Sequence, residues 1–262
     1  FPTRRSSDLS RDMIDAVANG AQQMVTEGAA NFGAWVPSIS VVEAPFIWRD
    51  PSLGVTWQKV LHGEQSTILH APLPVEGEII GETRIEALFD KGADKGAIAL
   101  VTREIRDAAG THLATSRATT FLRGDGGFGG SAEGAPMPHP LPKDREPDET
   151  VTLATASNQA LIYRLSGDLN PLHIDPEVAT GAGFKGPILH GLATYGVVGR
   201  ALLKARCGND PARLKRMDVR FSSPVYPGET IATDIWDEGN DRIAFRSRVV
   251  ERDLVVLTNG YA

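Results

Sequence analysis

Cysteine is almost absent: Cys207 is the only one among 262 residues. A single thiol cannot close an intrachain disulfide, and such usage fits a reducing compartment, which makes the cytoplasm the expected location. No apolar run approaches the roughly 20 residues needed to span a bilayer, so no membrane association is expected. Cationic excess is missing too. With 27 Lys and Arg against 33 Asp and Glu, the net charge of −6 argues against nucleic acid as the main partner, while leaving room for an anionic substrate on a local basic patch. Metal chemistry also lacks its usual donors. Asp168, His173 and Asp175 offer ligand types, but no cysteine pair or second histidine cluster accompanies them, and no metal is expected.

The chain does have apolar bulk: 41% hydrophobic residues suffice for a substantial core in one large domain or two ordinary ones. The opening Phe1-Pro2-Thr3-Arg4-Arg5-Ser6-Ser7-Asp8-Leu9 reads as a translated sequencing adapter. It has no apolar centre, so it is no secretory signal, and it stands apart from the fold. A weakly helical stretch at 13–25 and a short helix at 37–42 precede alternating or β-branched runs at 55–71, 78–89, 97–107 and 113–122, divided by Gly, Pro or Asp-rich turns. These predict an antiparallel sheet.

Residues 124–149 change character. Gly124, Gly126 and Gly129 spell G-x-G-x-x-G, the pattern of a dinucleotide cradle, but Ala135-Pro136-Met137-Pro138-His139-Pro140 follows where a cradle needs a helix N-terminus. The segment is therefore read as a linker. Beyond it strands recur at 214–222, 230–237, 242–251 and 254–259, and Pro224-Val225-Tyr226-Pro227-Gly228-Glu229 echoes Pro74-Val75-Glu76-Gly77-Glu78. The pattern is a tandem duplication, 10–123 and 150–262, joined by 124–149.

The longest helical signal runs over 189–207, with Leu192, Tyr195, Val198, Leu202 and Ala205 at helical spacing and a stop at Gly208-Asn209-Asp210-Pro211. Gly191, Ala193, Gly196, Gly199 and Ala201 are small enough for a curved sheet to wrap closely around it. Sheet plus helix makes the class α+β.

Just before this helix, Asp168, Asn170 and His173 fall within six residues. Gly167 permits a bend that other residues resist, and Asn170-Pro171 favours a turn, so the three side chains can converge. An imidazole beside a carboxylate suits proton transfer to and from water, and Asn170 can hold that water. Gly191 falls in the first turn of the helix, where unpaired N–H groups and the helix dipole favour a developing oxyanion. The plain alternative is a solvated turn.

The run Y-R-L-S-G-D-L-N-P-L-H at 163–173, with G-P-I-L-H-G at 186–191, resembles the signature of the hydratase 2 family, the R-specific 2-enoyl-CoA hydratases of the MaoC-like group. Leu61-His62-Gly63-Glu64-Gln65, Asp90-Lys91-Gly92, Gly126-Gly127-Phe128-Gly129-Gly130 and Arg220-Phe221 follow as further landmarks in the family's order. The resemblance implies a double hot-dog fold whose second repeat is catalytic and whose first shapes the acyl-chain pocket, with a homodimer as the expected assembly. It implies reversible syn addition of water to a trans-2-enoyl-CoA, giving the (3R)-3-hydroxyacyl-CoA. CoA is part of the substrate, so no separate cofactor is expected.

On the matching positions Asp168 and His173 are the acid/base pair, Asn170 positions the water and the Gly191 N–H receives the oxyanion. Implied substrate contacts are His62, Gly63, Lys91, Asp168, Leu169, Asn170, Pro171, Leu172, His173, Gly191 and Phe221. Lys91 would act as a point cation for a CoA phosphate. Arg213, Lys215, Arg216 and Arg220 are either a second such contact or a solvated face, and His190 is read as structural. Two rival functions stand beside this one: a related dehydratase acting on acyl carrier protein or a bulky acyl-CoA, and a non-catalytic acyl-CoA-binding module.

Overall fold

The computed structural model describes residues 54–56 and 59–262. The adapter-like start and the helices expected at 13–25 and 37–42 lie outside them. The first repeat contributes β1 (Val60–Leu69), β2 (Ile79–Asp90), β3 (Ala97–Asp107) and β4 (His112–Leu122). The second contributes β5 (Glu149–Ala154), α1 (Gln159–Arg164), a 3-10 turn (Pro171–His173), α2 (Pro176–Gly181), α3 (Gly191–Arg206), a 3-10 turn (Pro211–Arg213), β6 (Arg216–Phe221), β7 (Thr230–Gly239), β8 (Arg242–Val249) and β9 (Leu254–Tyr261). The expected strand runs reappear with shifted ends. Strand β5 was not foreseen, because its six residues offer only Val151 and Leu153 as an apolar alternation.

All nine strands form one antiparallel sheet in the order β2-β3-β4-β1-β6-β9-β8-β7-β5. Apart from the outermost β5, β2-β3-β4-β1 on one side and β7-β8-β9-β6 on the other repeat the same sequence of elements about the seam between β1 and β6. At that seam Glu64 pairs with Arg220 and Ile68 with Arg216. The pairing of β1 with β4 slips between His62 and Glu64, so Gly63 is a bulge residue. A methyl group there would overlap the Phe121 ring, so any larger residue would have to push that ring aside.

Helix α3 buries Tyr195, Val198 and Leu202 against Val219, Ile231, Ile235, Phe245, Val249 and Leu257 of the second-repeat strands. The Tyr195 hydroxyl donates to the Met217 carbonyl at 2.7 Å, satisfying the one polar atom that this ring carries into the core. Ala193, Gly196, Gly199 and Ala201 are buried along the same helix and keep the sheet close. A long helix gripped by a mirrored antiparallel sheet is the double hot-dog arrangement, of class α+β; the described residues supply the helix of the second repeat.

Between β4 and β5 there is neither helix nor strand. The glycine-rich part of this segment does form an anion cradle, filled by the protein itself. Asp90 Oδ1 accepts the N–H of Gly127 at 2.7 Å and of Gly92 at 2.9 Å, and Oδ2 that of Gly129 at 2.7 Å. A methyl group on Gly126 would overlap the carbonyls of Gly92 and Gly96. Further on, the segment is fastened to the second repeat: Asn259 Nδ2 donates to the His139 carbonyl at 2.7 Å, and Trp236 Nε1 to that of Arg145 at 2.9 Å.

Candidate active site

The segment leading into α3 is a series of tight bends. Helix α1 ends at Arg164, Gly167 takes φ 105°, and the chain reverses before Asn170 caps the 3-10 turn by accepting the Leu172 N–H on its side-chain oxygen at 3.1 Å. Asp168 stabilises the same bend by accepting the Asn170 N–H at 3.1 Å. Asn170 thus spends its oxygen on the backbone, and its amide nitrogen remains to meet a ligand. Asp175 is not part of the cluster. It caps α2, accepting the N–H groups of Glu177 and Val178.

The third member is His190. Atoms of Asp168, His173 and His190 lie within 4.8 Å of one another, and the two imidazoles stack with centroids 3.7 Å apart and planes at 27°. On its other side His190 meets the Tyr163 ring at 4.6 Å. Carbonyl oxygens can only accept, so they fix both tautomers. His173 Nδ1–H donates to the Ile188 carbonyl at 2.8 Å, leaving a lone pair on Nε2. His190 Nε2–H donates to the Asp168 carbonyl at 3.3 Å, leaving Nδ1 bare and buried without a partner.

Burial lowers the pKa of His173 below its ordinary 6.5, against the opposing pull of the Ile188 carbonyl and Asp168. His190, 1% exposed, is pushed down to about 4, by burial first and then by the charge His173 carries when protonated. His190 is therefore neutral at neutral pH, and its 4.0 Å approach to Asp168 Oδ2 is a dipolar contact, not an ion pair. The trio does not suit a metal ion in this arrangement. His190 presents N–H, not a lone pair, toward the Asp168 carbonyl, so on that side it offers no ligand atom.

His190 also caps α3, so Gly191 is its first residue and the Gly191 N–H has no acceptor within the helix. An added Gly191 methyl would come within 3.2 Å of Phe221 Cε1, and the Phe221 ring lies 5.0 Å from that of His62. Contacts thus run from the imidazoles through Gly191 and Phe221 across the seam to His62 and Gly63, then to Phe121. Phe121 in turn lines a cavity of ≈430 Å³ with Lys91, Lys95, Ala97, Ile98, Arg123 and Ala132.

The expected site residues are therefore brought together in two groups. Asp168, Asn170, His173 and Gly191 surround the loop, while His62, Gly63 and Phe221 lead toward Lys91. Leu169 and Pro171 are exposed and Leu172 half-buried. Arg216 and Arg220 do not join the basic cavity; they pair with Asp218 at 2.6 Å and Glu64 at 3.2 Å, which favours the solvated-face reading for them. Sequence reasoning left His190 outside the site because its partners are remote in sequence. The available signal was a histidine directly before the helix-starting glycine.

Residues 140–260 match the family described as MaoC like domain, and residues 20–124 match the MFE-2 hydratase 2 N-terminal domain. The chain is 42% identical over 250 residues to "Probable enoyl-CoA hydratase 2" of Dictyostelium discoideum, covering 92% of this chain and 83% of that protein. It is 40% identical over 247 residues to "Peroxisomal multifunctional enzyme type 2" of Mus musculus, covering 91% of this chain but only 33% of that protein. The solved full-length peroxisomal multifunctional enzyme type 2 of Drosophila melanogaster superposes with a TM-score of 0.74 at 37% identity, over 95% of this chain and 46% of that one.

Proposed function

Because the chain belongs to the MaoC-like family, in its hydratase 2 branch, we propose that it hydrates trans-2-enoyl-CoA to the (3R)-3-hydroxyacyl-CoA through the loop and helix tip described above. It is a hydro-lyase, a 2-enoyl-CoA hydratase. What supports the residue assignments is a His173 imidazole with a free Nε2 lone pair, its ring clustered within 4.8 Å of Asp168, together with a helix-starting Gly191 whose N–H has no acceptor within the helix.

In this reading a water molecule lies between Asp168, His173 Nε2 and the Asn170 amide nitrogen. Its oxygen bonds to Cβ, its proton passes to Nε2, and the C=C electrons move toward the thioester oxygen, which the Gly191 N–H and the α3 dipole stabilise. Asp168 steadies the resulting imidazolium, and the pair returns a proton to Cα on the same face, so addition is syn. Neutral, buried His190 supports this geometry by stacking under His173 and tying down the Asp168 carbonyl. Lys91, Lys95 and Arg123 hold phosphates of the CoA moiety around the Phe121 cavity.

No described helix is long and apolar enough to cross a membrane. A reducing compartment, the cytoplasm in the simplest case, and a homodimer belong to the same proposal; light scattering on the purified chain tests the dimer. The deciding experiment is hydration of trans-2-enoyl-CoA with chiral analysis of the product. The expected product is R, and an S product or mere binding without turnover overturns the reading.

A further inference from the structure

Asp90, the last residue of β2, is 7% exposed and takes no part in the chemistry above. A buried carboxylate normally has a cation beside it. This one is held below the usual carboxylate range by backbone N–H groups, that of Gly127 foremost and Gly92 next. Its own N–H donates to the Ser131 carbonyl at 2.9 Å, and the neighbouring Lys91 Nζ donates to the carbonyl of Ala132. Asp90 and Lys91 thus grip residues 127–132 by side chain and backbone together.

The gripped arm has a visible purpose. Its Ala132 forms one wall of the ≈430 Å³ cavity that Lys91, Lys95 and Arg123 also line. Among the described residues no carboxylate forms an ion pair with any of these three cations. Uncompensated cations around a cavity in a chain of net charge −6 mark a site for an anion.

We propose that Asp90 is a positioning residue for the phosphate-bearing end of the substrate: its carboxylate fixes the glycine arm, and the arm fixes the wall of the basic cavity and the Lys91 ammonium. This rests on the hydratase reading for the identity of the anion, a CoA thioester. Because the cradle is filled by the protein's own carboxylate, the cavity wall is formed before substrate arrives and its ordering cost is already met.

The test is Asp90→Asn, which keeps size but loses the charge and presents one oxygen instead of two. Crotonyl-CoA is compared with the crotonyl thioester of N-acetylcysteamine, which lacks every phosphate, and CoA binding is followed by calorimetry. The expected result is a KM for crotonyl-CoA and a Kd for CoA raised about tenfold, the scale of one lost charge-assisted hydrogen bond, with kcat and the N-acetylcysteamine kinetics unchanged. Equal losses on both thioesters, or unchanged CoA affinity, overturn the proposal. Lys95→Ala, a surface change, provides a second reading should Asp90→Asn melt: it too must weaken CoA binding several-fold, and unaltered affinity counts against the cavity. If the native chain hydrates neither thioester the hydratase reading fails, while CoA calorimetry still decides the role of Asp90.

Discussion

Replacing His190 with phenylalanine should make the protein less sensitive to acid. The ring would remain sandwiched between Tyr163 and His173, while the titrating nitrogens disappear. In the folded chain His190 sits at about 4 against an ordinary 6.5, so the unfolded chain binds its proton first. Stability associated with neutral His190 is therefore intact above pH 6.5 and lost progressively as pH falls toward 4. Integrating that gap from pH 7 to pH 5 gives about 2 kcal/mol. Urea unfolding of both proteins at the two pH values measures it. His173 is common to both, so its own parallel contribution cancels to first order. The expected outcome is that the native protein loses about 2 kcal/mol more than His190→Phe over this interval; equal losses would refute the claim that His190 is buried neutral.

Three further outcomes follow from the same geometry. Asp168→Ala or His173→Ala should lower turnover by about 10²–10⁴ with the fold intact, and near-normal rates in either would reject its assignment. Because burial lowers His173 below 6.5 and the reaction needs it neutral, kcat/KM for hydration should persist below pH 6.5 and fall only as that imidazole charges; an acid limb centred above 6.5 contradicts this. Gly126→Ala forces a methyl into the Gly92 and Gly96 carbonyls and should destabilise the chain by about 2–3 kcal/mol, read as a lowered urea midpoint; an unaltered midpoint would mean the arm yields freely.

Local signals carried much of this structure in the sequence. The periodicity of α3 survives because Tyr195, Val198 and Leu202 all reach full burial, and β1 and β6 alternate buried with partly exposed residues. Asp168, Asn170 and His173 were legible because one bend of a few residues assembles them. What escaped depends on partners far along the chain. His190 finds the Asp168 carbonyl 22 residues away, and Gly127 finds Asp90 at a separation of 37. The G-x-G-x-x-G spacing reads as a linker for want of a following helix, yet Gly129 of that motif and the neighbouring Gly127 do donate to an anion, the protein's own Asp90. Strand β5 escaped for another reason, carrying only Val151 and Leu153 as apolar residues, where the equally short β6 alternates Met217, Val219 and Phe221.

The seam between β1 and β6 has a consequence for how such an enzyme changes over time. In the proposed mechanism loop 163–173 supplies the acid and base from one half only, while His62, Gly63 and the lysine-lined cavity come from the other. Each half is thus excused from the other's task. Mutations that reshape the cavity side can retune how the phosphate-bearing carrier is held without touching proton transfer, and the covalent tether keeps the two specialised halves together.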